Sequence, residues 1–321
     1  MTASTHADYL TQVPTLSLKQ YIDGDVNQRQ EFTADLFRGL RQFGFIILKD
    51  HPIQQTLLDT AYEKSRVLFS LPESKKLEFL CHEGGGQRGY TPFGKEHAKD
   101  STVADLKEFW HVGRDLNPGE TYYDQYPKNI WPEEILGFRK TFSQLYSALD
   151  DVGRIMLQAL TPALDLPSDY FDRLTLNGNS ILRLLHYPPI PEGADPHAVR
   201  AAAHEDINLI TILVSASASG LELLDRQGQW LPVEAEAGQL IVDAGDMLSR
   251  ITNEVIPSTT HRVVNPQDGQ NVSRYSMPFF MHPHPEATLS CIPSCVGTGA
   301  KYPDISSQNF LMQRLREIGL I

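Results

Sequence analysis

The chain is 321 residues long, 41% hydrophobic and 21% charged, which suits one large globular core or two modest ones and excludes a disordered, fibrous or collagen-like protein. Lys and Arg number 28 against 40 Asp and Glu, a net charge of −12 that repels polyanions, so neither nucleic acid nor an anionic membrane is expected as a partner. The longest apolar runs, such as Phe45 to Leu48 and Leu209 to Val214, fall far short of the roughly 20 residues that cross a bilayer, and the N-terminus lacks the regions of a secretory signal; a cytoplasmic location is expected.

In chain order, Gln30 to Phe43 carries apolar residues at helical spacing (Phe32, Leu36, Leu40, Phe43), and Gly44 to Leu48 reads as a buried strand. A second helix is expected from about Gln54 to Phe69, ended by Leu71-Pro72. Gly84 to Asp105 is Gly-rich and irregular, the pattern of a loop over a site, and Phe109-Trp110 beyond it reads as a structural strand. Pro132 to Leu164 predicts one or two long helices, with Ile135, Phe138, Phe142, Leu145, Leu149, Val152, Ile155 and Leu160 on one face. From Ile181 to about Phe280, short β-branched runs alternate with turn signals such as Pro188-Pro189, Ser219-Gly220, Gly245-Asp246 and Asp268-Gly269, the rhythm of a β-sandwich or jelly roll. Gln308 to Leu320 reads as a closing helix burying Phe310, Leu311, Leu315 and Ile318. The fold class is therefore α+β with a mainly β core. Residues 1–125 form an N-terminal α/β region and 126–321 the helices, β core and terminal helix, most economically as one compact domain. Cys81, Cys291 and Cys295 lack zinc-like spacing and are expected as reduced thiols.

His204 and Asp206 are two apart in a segment that reads as extended, which puts both side chains on one face at chelating distance and turns Glu205 away. His261, 55 residues after Asp206, sits in the strand-like Thr259-Thr260-His261-Arg262-Val263-Val264. Two histidines and one carboxylate occupy one face of an octahedron and leave positions open, as in non-haem Fe(II) oxygenases. A turn-forming stretch about Asp268 then leads to Val272 to Met277; a hairpin there would set His261 beside Arg274 to Ser276. Arg274 and Ser276 share a face, and a guanidinium with a hydroxyl beside it is a carboxylate receptor. Near an open metal, that implies an acid that both chelates iron and reaches the receptor.

With these residues in place, the sequence resembles the isopenicillin N synthase-like branch of the Fe(II)/2-oxoglutarate-dependent oxygenases over most of its length. The resemblance is carried by Phe43-Gly44-Phe45-Ile46-Ile47-Leu48-Lys49-Asp50-His51-Pro52-Ile53, Leu182-Arg183-Leu184-Leu185-His186-Tyr187-Pro188-Pro189 and His204-x-Asp206. It continues through Gly220-Leu221-Glu222-Leu223, Gly238 to Asp246, Ser258 to Val264 and Arg274-Tyr275-Ser276. It implies a double-stranded β-helix with flanking N-terminal, central and C-terminal helices, Fe(II) on His204, Asp206 and His261, and 2-oxoglutarate as cosubstrate on Arg274 and Ser276. Tyr187 matches a tyrosine that helps bind the same carboxylate in relatives. Leu185 stands where plant relatives commonly carry Asn, a lost polar contact for which Arg183 is positioned to compensate.

The implied reaction consumes dioxygen, releases succinate and carbon dioxide, and oxidises a small organic molecule by hydroxylation, desaturation or ring closure, with ascorbate as a further reductant. Arg88, Tyr90 and Phe93 in the Gly-rich loop, with Arg183 and Phe280, are the expected substrate residues, Arg88 facing a substrate carboxylate. A monomer or weak oligomer is expected. Two relatives of the same triad form the alternatives within the class: an oxidase that needs no 2-oxoglutarate, of the isopenicillin N synthase type, and an ethylene-forming enzyme. The alternative outside it is a non-catalytic metal- or ligand-binding module.

Overall fold

The computed structural model describes residues 10–81, 87–95, 105–195, 197–266 and 271–317. Strand β1 (Thr15–Ser17) and the short helix α1 (Leu18–Ile22) lead into helix α2 (Val26–Phe43), which a capping box starts: Asp25 accepts from the Gln28 N–H while Gln28 accepts from that of Asp25. Gly44, with φ of 70°, ends it by donating its N–H to the Leu40 carbonyl at 2.8 Å, and the chain turns into β2 (Phe45–Lys49). Helices α3 (Gln55–Phe69) and α4 (Glu73–Leu77) follow. The Gly-rich stretch contains β3 (Gly89–Thr91), so a strand stands in part of what composition alone reads as loop; most of the remainder lies outside the described residues. β4 (Glu108–Gly113) contains the expected Phe109-Trp110 strand.

The central helical region is one long helix, α5 (Phe138–Leu160), followed by the short α6 (Tyr170–Thr175). Gly153 allows α5 to lie close on the sheet, since a Cβ there would stand 2.6 Å from Met281 Sδ and 2.9 Å from Ile212 Cδ1. Then come β5 (Ile181–Tyr187), β6 (Ala201–His204), β7 (Ile210–Val214), β8 (Leu221–Leu224), β9 (Trp230–Pro232) and β10 (Leu240–Ala244). Helix α7 (Asp246–Ile251), β11 (His261–Val263), β12 (Arg274–Met281), the β13 (Thr288–Leu289) and β14 (Ile305–Ser306) pair and α8 (Ser307–Glu317) complete the chain. Of the apolar residues expected on the closing helix, Ile318 lies outside the described residues.

An eight-stranded sheet, in the order β1-β2-β10-β7-β12-β5-β4-β3, packs against a four-stranded one, β6-β11-β8-β9. Strand alternation sorts every side chain of the large sheet to one of two sides. Ile46, Leu48, Trp110, Leu182, Leu184, Ile212, Val242, Met277 and Phe279 face α2, α3 and α5 and form the main core. Phe45, Ile47, Phe109, Leu185, Tyr187 and Ile241 face the small sheet and meet Ala201, Leu221, Leu223 and Val263 there. Each fully buried Leu or Phe in these layers contributes roughly 1.5–3 kcal/mol. This is the jelly-roll core with flanking helices that the sequence implies, without closure into a barrel.

One expectation fails. His261 and Arg274 to Ser276 do not pair as a hairpin: β11 pairs with β6 and β8, whereas β12 pairs with β5 and β7 in the opposite sheet. The connection crosses the sandwich, and Asp268, about which the hairpin was to fold, lies outside the described residues. The three cysteines carry free thiols. Among the described residues no helix is long and apolar enough to cross a membrane.

Candidate active site

The inner face of the sandwich carries the chemistry. His204 closes β6 and His261 opens β11, and the two are register partners with ring centroids 4.4 Å apart. Asp206 is not on the strand itself but in the link just beyond it, where it is buried. Its Oδ1 stands 3.8 Å from His204 Nε2 and 3.9 Å from His261 Nε2. One ligand atom from each of the three residues lies within 4.8 Å of the others, the only such group of three among the described residues.

The outer hydrogen bonds of this cluster suit a metal. His204 Nδ1 donates to the Ala202 carbonyl at 2.7 Å and His261 Nδ1 to the Thr259 carbonyl at 3.1 Å, which fixes both tautomers and leaves each Nε2 lone pair free toward Asp206. Burial, with His261 beside it, lowers the pKa of His204 to about 4, so the ring is neutral and able to ligate at pH 7. Asp206 Oδ2 accepts from Thr211 Oγ1, whose own oxygen accepts from Asn208 Nδ2 at 2.9 Å. Asp243, on the inner face of β10, is pushed well above the usual carboxylate range by burial and then by Asp206, to which it is hydrogen-bonded. Protonated, it acts as a donor to the Asp206 carboxylate. Thr211, Asn208 and Asp243 escaped the sequence reading; the one signal for Asp243 is an acid in the otherwise apolar run Leu240 to Ala244.

Arg274 and Ser276 open β12, both on the inner face and both 2% exposed. Arg274 is the register partner of Tyr187 and Ser276 of Leu185, so the serine stands next to the apolar residue that replaces Asn. The Arg274 guanidinium lies 5.1 Å from the centre of the Tyr187 ring, and its Nε donates to the Ala218 carbonyl at 3.1 Å. Its Nη1 is buried without a partner. A buried orphan donor beside a buried hydroxyl is the donor set that a carboxylate would complete.

Arg183 and Phe280 also reach the inner face and come together. The Arg183 guanidinium packs 4.2 Å from the ring centre of Phe109 and 5.2 Å from that of Phe280, and its Nε donates to His111 Nε2 at 2.7 Å. His111, another residue absent from the sequence reading, lies on the same face by alternation. Arg88 is fully buried at the far end of β4, where a Cβ on Gly113 would lie 1.8 Å from its Cζ. Gly113 shares the face of Phe109 and His111 by alternation, which puts the Arg88 guanidinium over the next position of that row; its Nε and Nη2 have no partner.

Tyr90 goes elsewhere. It pairs with Trp110, belongs to the helix-side core, and donates to Glu108 Oε2 at 2.5 Å in a network with Lys76 and His186. The alternation of a three-residue strand could not be assigned to a side from sequence, and the expectation that Tyr90 faces substrate is corrected. Phe93, 41% exposed past the end of β3, makes no ring contact with Phe280 or Phe109.

His282, just beyond β12, is 9% exposed and donates from Nδ1 to the Phe280 carbonyl at 3.2 Å. Burial lowers its pKa from 6.5 to about 4. The unfolded chain therefore takes up a proton near pH 6.5 and the folded one only near pH 4, so stability is complete above pH 6.5 and is lost as the pH falls between them. The loss approaches about 3 kcal/mol at the acid end. In urea unfolding at pH 7 and pH 4.5, His282→Asn should show a correspondingly smaller fall in stability than the wild type; equal falls would mean that the ring is not buried neutral.

The sequence matches two family models, the N-terminal region of the non-haem dioxygenase in morphine synthesis over residues 13–134 and the 2OG-Fe(II) oxygenase superfamily over residues 178–283. It is 31% identical to the 2-oxoglutarate-Fe(II) type oxidoreductase ppzD of Metarhizium rileyi, over 95% of this chain and 90% of that one. The crystal structure of a protein assigned to the 2OG-Fe(II) oxygenase family from Caulobacter crescentus superposes with a TM-score of 0.86 at 42% identity, covering 96% of this chain and all of that one. A full-length Neurospora crassa protein, crystallised in complex with alpha-KG (2-oxoglutarate) and thymine, superposes with a TM-score of 0.85 at 30% identity, over 95% of this chain and 96% of that one; the same Neurospora protein has also been crystallised with 5-formyluracil.

Proposed function

Because this chain belongs to the 2OG-Fe(II) oxygenase superfamily, we propose that it oxidises a small carbonyl- or carboxylate-bearing molecule with His204, Asp206 and His261 holding Fe(II) and Arg274, Ser276 and Tyr187 holding 2-oxoglutarate. The protein is an Fe(II)- and 2-oxoglutarate-dependent enzyme, which sets aside a purely binding role. The observation that carries the residue assignment is the paired arrangement on one inner face: a neutral His, Asp, His cluster and a buried guanidinium with an unpartnered donor.

Bound together, the metal and cosubstrate supply the oxidising power, with 2-oxoglutarate leaving as succinate and carbon dioxide and dioxygen as the oxidant. The chain's own part is placement. Thr211 and Asp243 hold the Asp206 carboxylate so that Oδ1 faces the two imidazoles. Phe45, Phe109, Leu185 and Leu223 keep the interior apolar and exclude water, which strengthens each charged contact made there. Arg183, between Phe109 and Phe280, is positioned to donate to a substrate oxygen while the rings bracket a flat molecule. Arg88 supplies two further donors along the same row. The thymine and 5-formyluracil complexes of the Neurospora protein support a flat, carbonyl-bearing substrate class. The net charge of −12 supports a free small molecule over nucleic acid, and a cytoplasmic monomer or weak oligomer remains the reading for location and assembly.

The test is anaerobic addition of Fe(II) and 2-oxoglutarate, which should give a visible metal-to-ligand absorption band, followed by succinate measurement in air with and without flat heterocycles and small organic acids. A band with no stimulation by any of these would reject the substrate class, and no band would reject the site assignment. Arg183→Met should raise KM for the stimulating substrate by about 10- to 100-fold, the loss of one charged hydrogen bond, while leaving the band unchanged. A weakened band would place Arg183 on the cosubstrate instead.

A further inference from the structure

A second buried guanidinium stands beside Arg274 and has no part in the site as described so far. Arg200, directly before β6, is 2% exposed. Its backbone N–H donates to Asn265 Oδ1 at 3.1 Å, and its Nη2 donates at 2.5 Å to the carbonyl of Val272, two residues before Arg274. These bonds carry the side chain from the small sheet across to the start of β12. The carbonyls that Arg200 and Arg274 reach, those of Val272 and Ala218, are backbone acceptors and bring no countercharge. Arg200 Nε is buried and unpartnered, as is Arg274 Nη1. Burial depresses the pKa of Arg200 first and the neighbouring Arg274 charge adds to it, with Tyr187 acting in the opposite sense. Two like charges withdrawn from water side by side, each with an idle donor, make an arrangement that an anion completes.

We propose that Arg200 and Arg274 form a two-guanidinium receptor for the far carboxylate of 2-oxoglutarate, in which Arg200 makes the pocket select a dianionic 2-oxo acid over a monoanionic one. The proposal rests on the placement of 2-oxoglutarate against Arg274 and Ser276. A carboxylate offers roughly four lone-pair sites, more than Arg274 Nη1 and the Ser276 hydroxyl fill, and Arg200 adds both charge and a donor.

The test compares 2-oxoglutarate with 2-oxopentanoate, which chelates through the same end and carries a methyl group in place of the far carboxylate. Each is titrated anaerobically into the Fe(II)-loaded protein and followed by its absorption band. Arg200→Gln should weaken 2-oxoglutarate about tenfold or more and change 2-oxopentanoate less than about twofold, and Arg200→Lys should recover part of the loss. Equal weakening of both acids, or of neither, overturns the proposal. If Arg200→Gln does not fold, as judged by its thermal transition, Arg200→Lys decides through the same ratio: it should lie below that of the wild type, and an unchanged ratio overturns the proposal. Arg274→Gln separates the two readings: if it leaves 2-oxoglutarate affinity intact, the cosubstrate placement fails; if it abolishes affinity while Arg200→Gln does nothing, only the role of Arg200 fails.

Discussion

Asp206→Ala is expected to abolish the absorption band of the Fe(II)–2-oxoglutarate complex and to lower succinate formation by more than about 100-fold, since loss of an outer partner of a metal ligand alone costs about 10- to 100-fold. The neighbours of Asp206 set a graded series below that. Thr211→Val removes the hydroxyl that orients Asp206 Oδ2, and Asp243→Asn replaces a protonated acid by an amide that can still donate. Thr211→Val should therefore fall within the 10- to 100-fold range and Asp243→Asn well inside it. Folding does not track this order. Asp206 and Asp243 are two acids buried against one another, so removing Asp206 relieves a repulsive pair, and the metal-free Asp206→Ala protein should melt no lower than Thr211→Val. Undiminished succinate formation by Asp206→Ala, or activity losses that merely follow the melting temperatures, would remove the metal-ligand assignment.

The parts of this protein legible in the sequence are those that local spacing fixes. Helices α2, α3 and α5 follow from apolar residues recurring every three or four positions, because one face of each must meet the sheet. The His204 and Asp206 pair follows from proximity along the chain, and Arg274 with Ser276 from the period of two in a strand. What local spacing does not fix is which strands pair. The hairpin expected between His261 and Ser276 is reasonable for two strand-like runs across a turn, yet the jelly roll sends β11 and β12 to opposite sheets. Sidedness is hidden for the same reason. Tyr90 and Phe109 look alike in sequence, and only the pairing of Tyr90 with Trp110 assigns the first to the helix layer while Phe109 faces the site. Asp243, Thr211 and His111 become functional candidates once β10, β7 and β4 are known to line the same inner face.

Arg274→Gln should be the sharpest demonstration that the far end of the pocket is built for an anion. The guanidinium is 2% exposed, its described acceptors include no carboxylate, and its Nη1 donor is idle. Removing one member of a buried, hydrogen-bonded charge pair costs about 2–5 kcal/mol of binding, so affinity for 2-oxoglutarate should fall by roughly 30-fold to several thousand-fold. Ser276→Ala removes one neutral donor and should cost about 1 kcal/mol, near fivefold. The effect of Arg274→Gln on the unliganded fold runs the other way. Burial of an uncompensated charge is unfavourable, while the loss of the single bond to the Ala218 carbonyl is small beside it, so the variant without 2-oxoglutarate should be as stable as the wild type or more so. Adding 2-oxoglutarate and Fe(II) should then raise the melting temperature of the wild type and leave that of Arg274→Gln almost unchanged. A variant that is markedly destabilised on its own and yet keeps its affinity for 2-oxoglutarate would show that Arg274 holds the sandwich together and does not receive the cosubstrate.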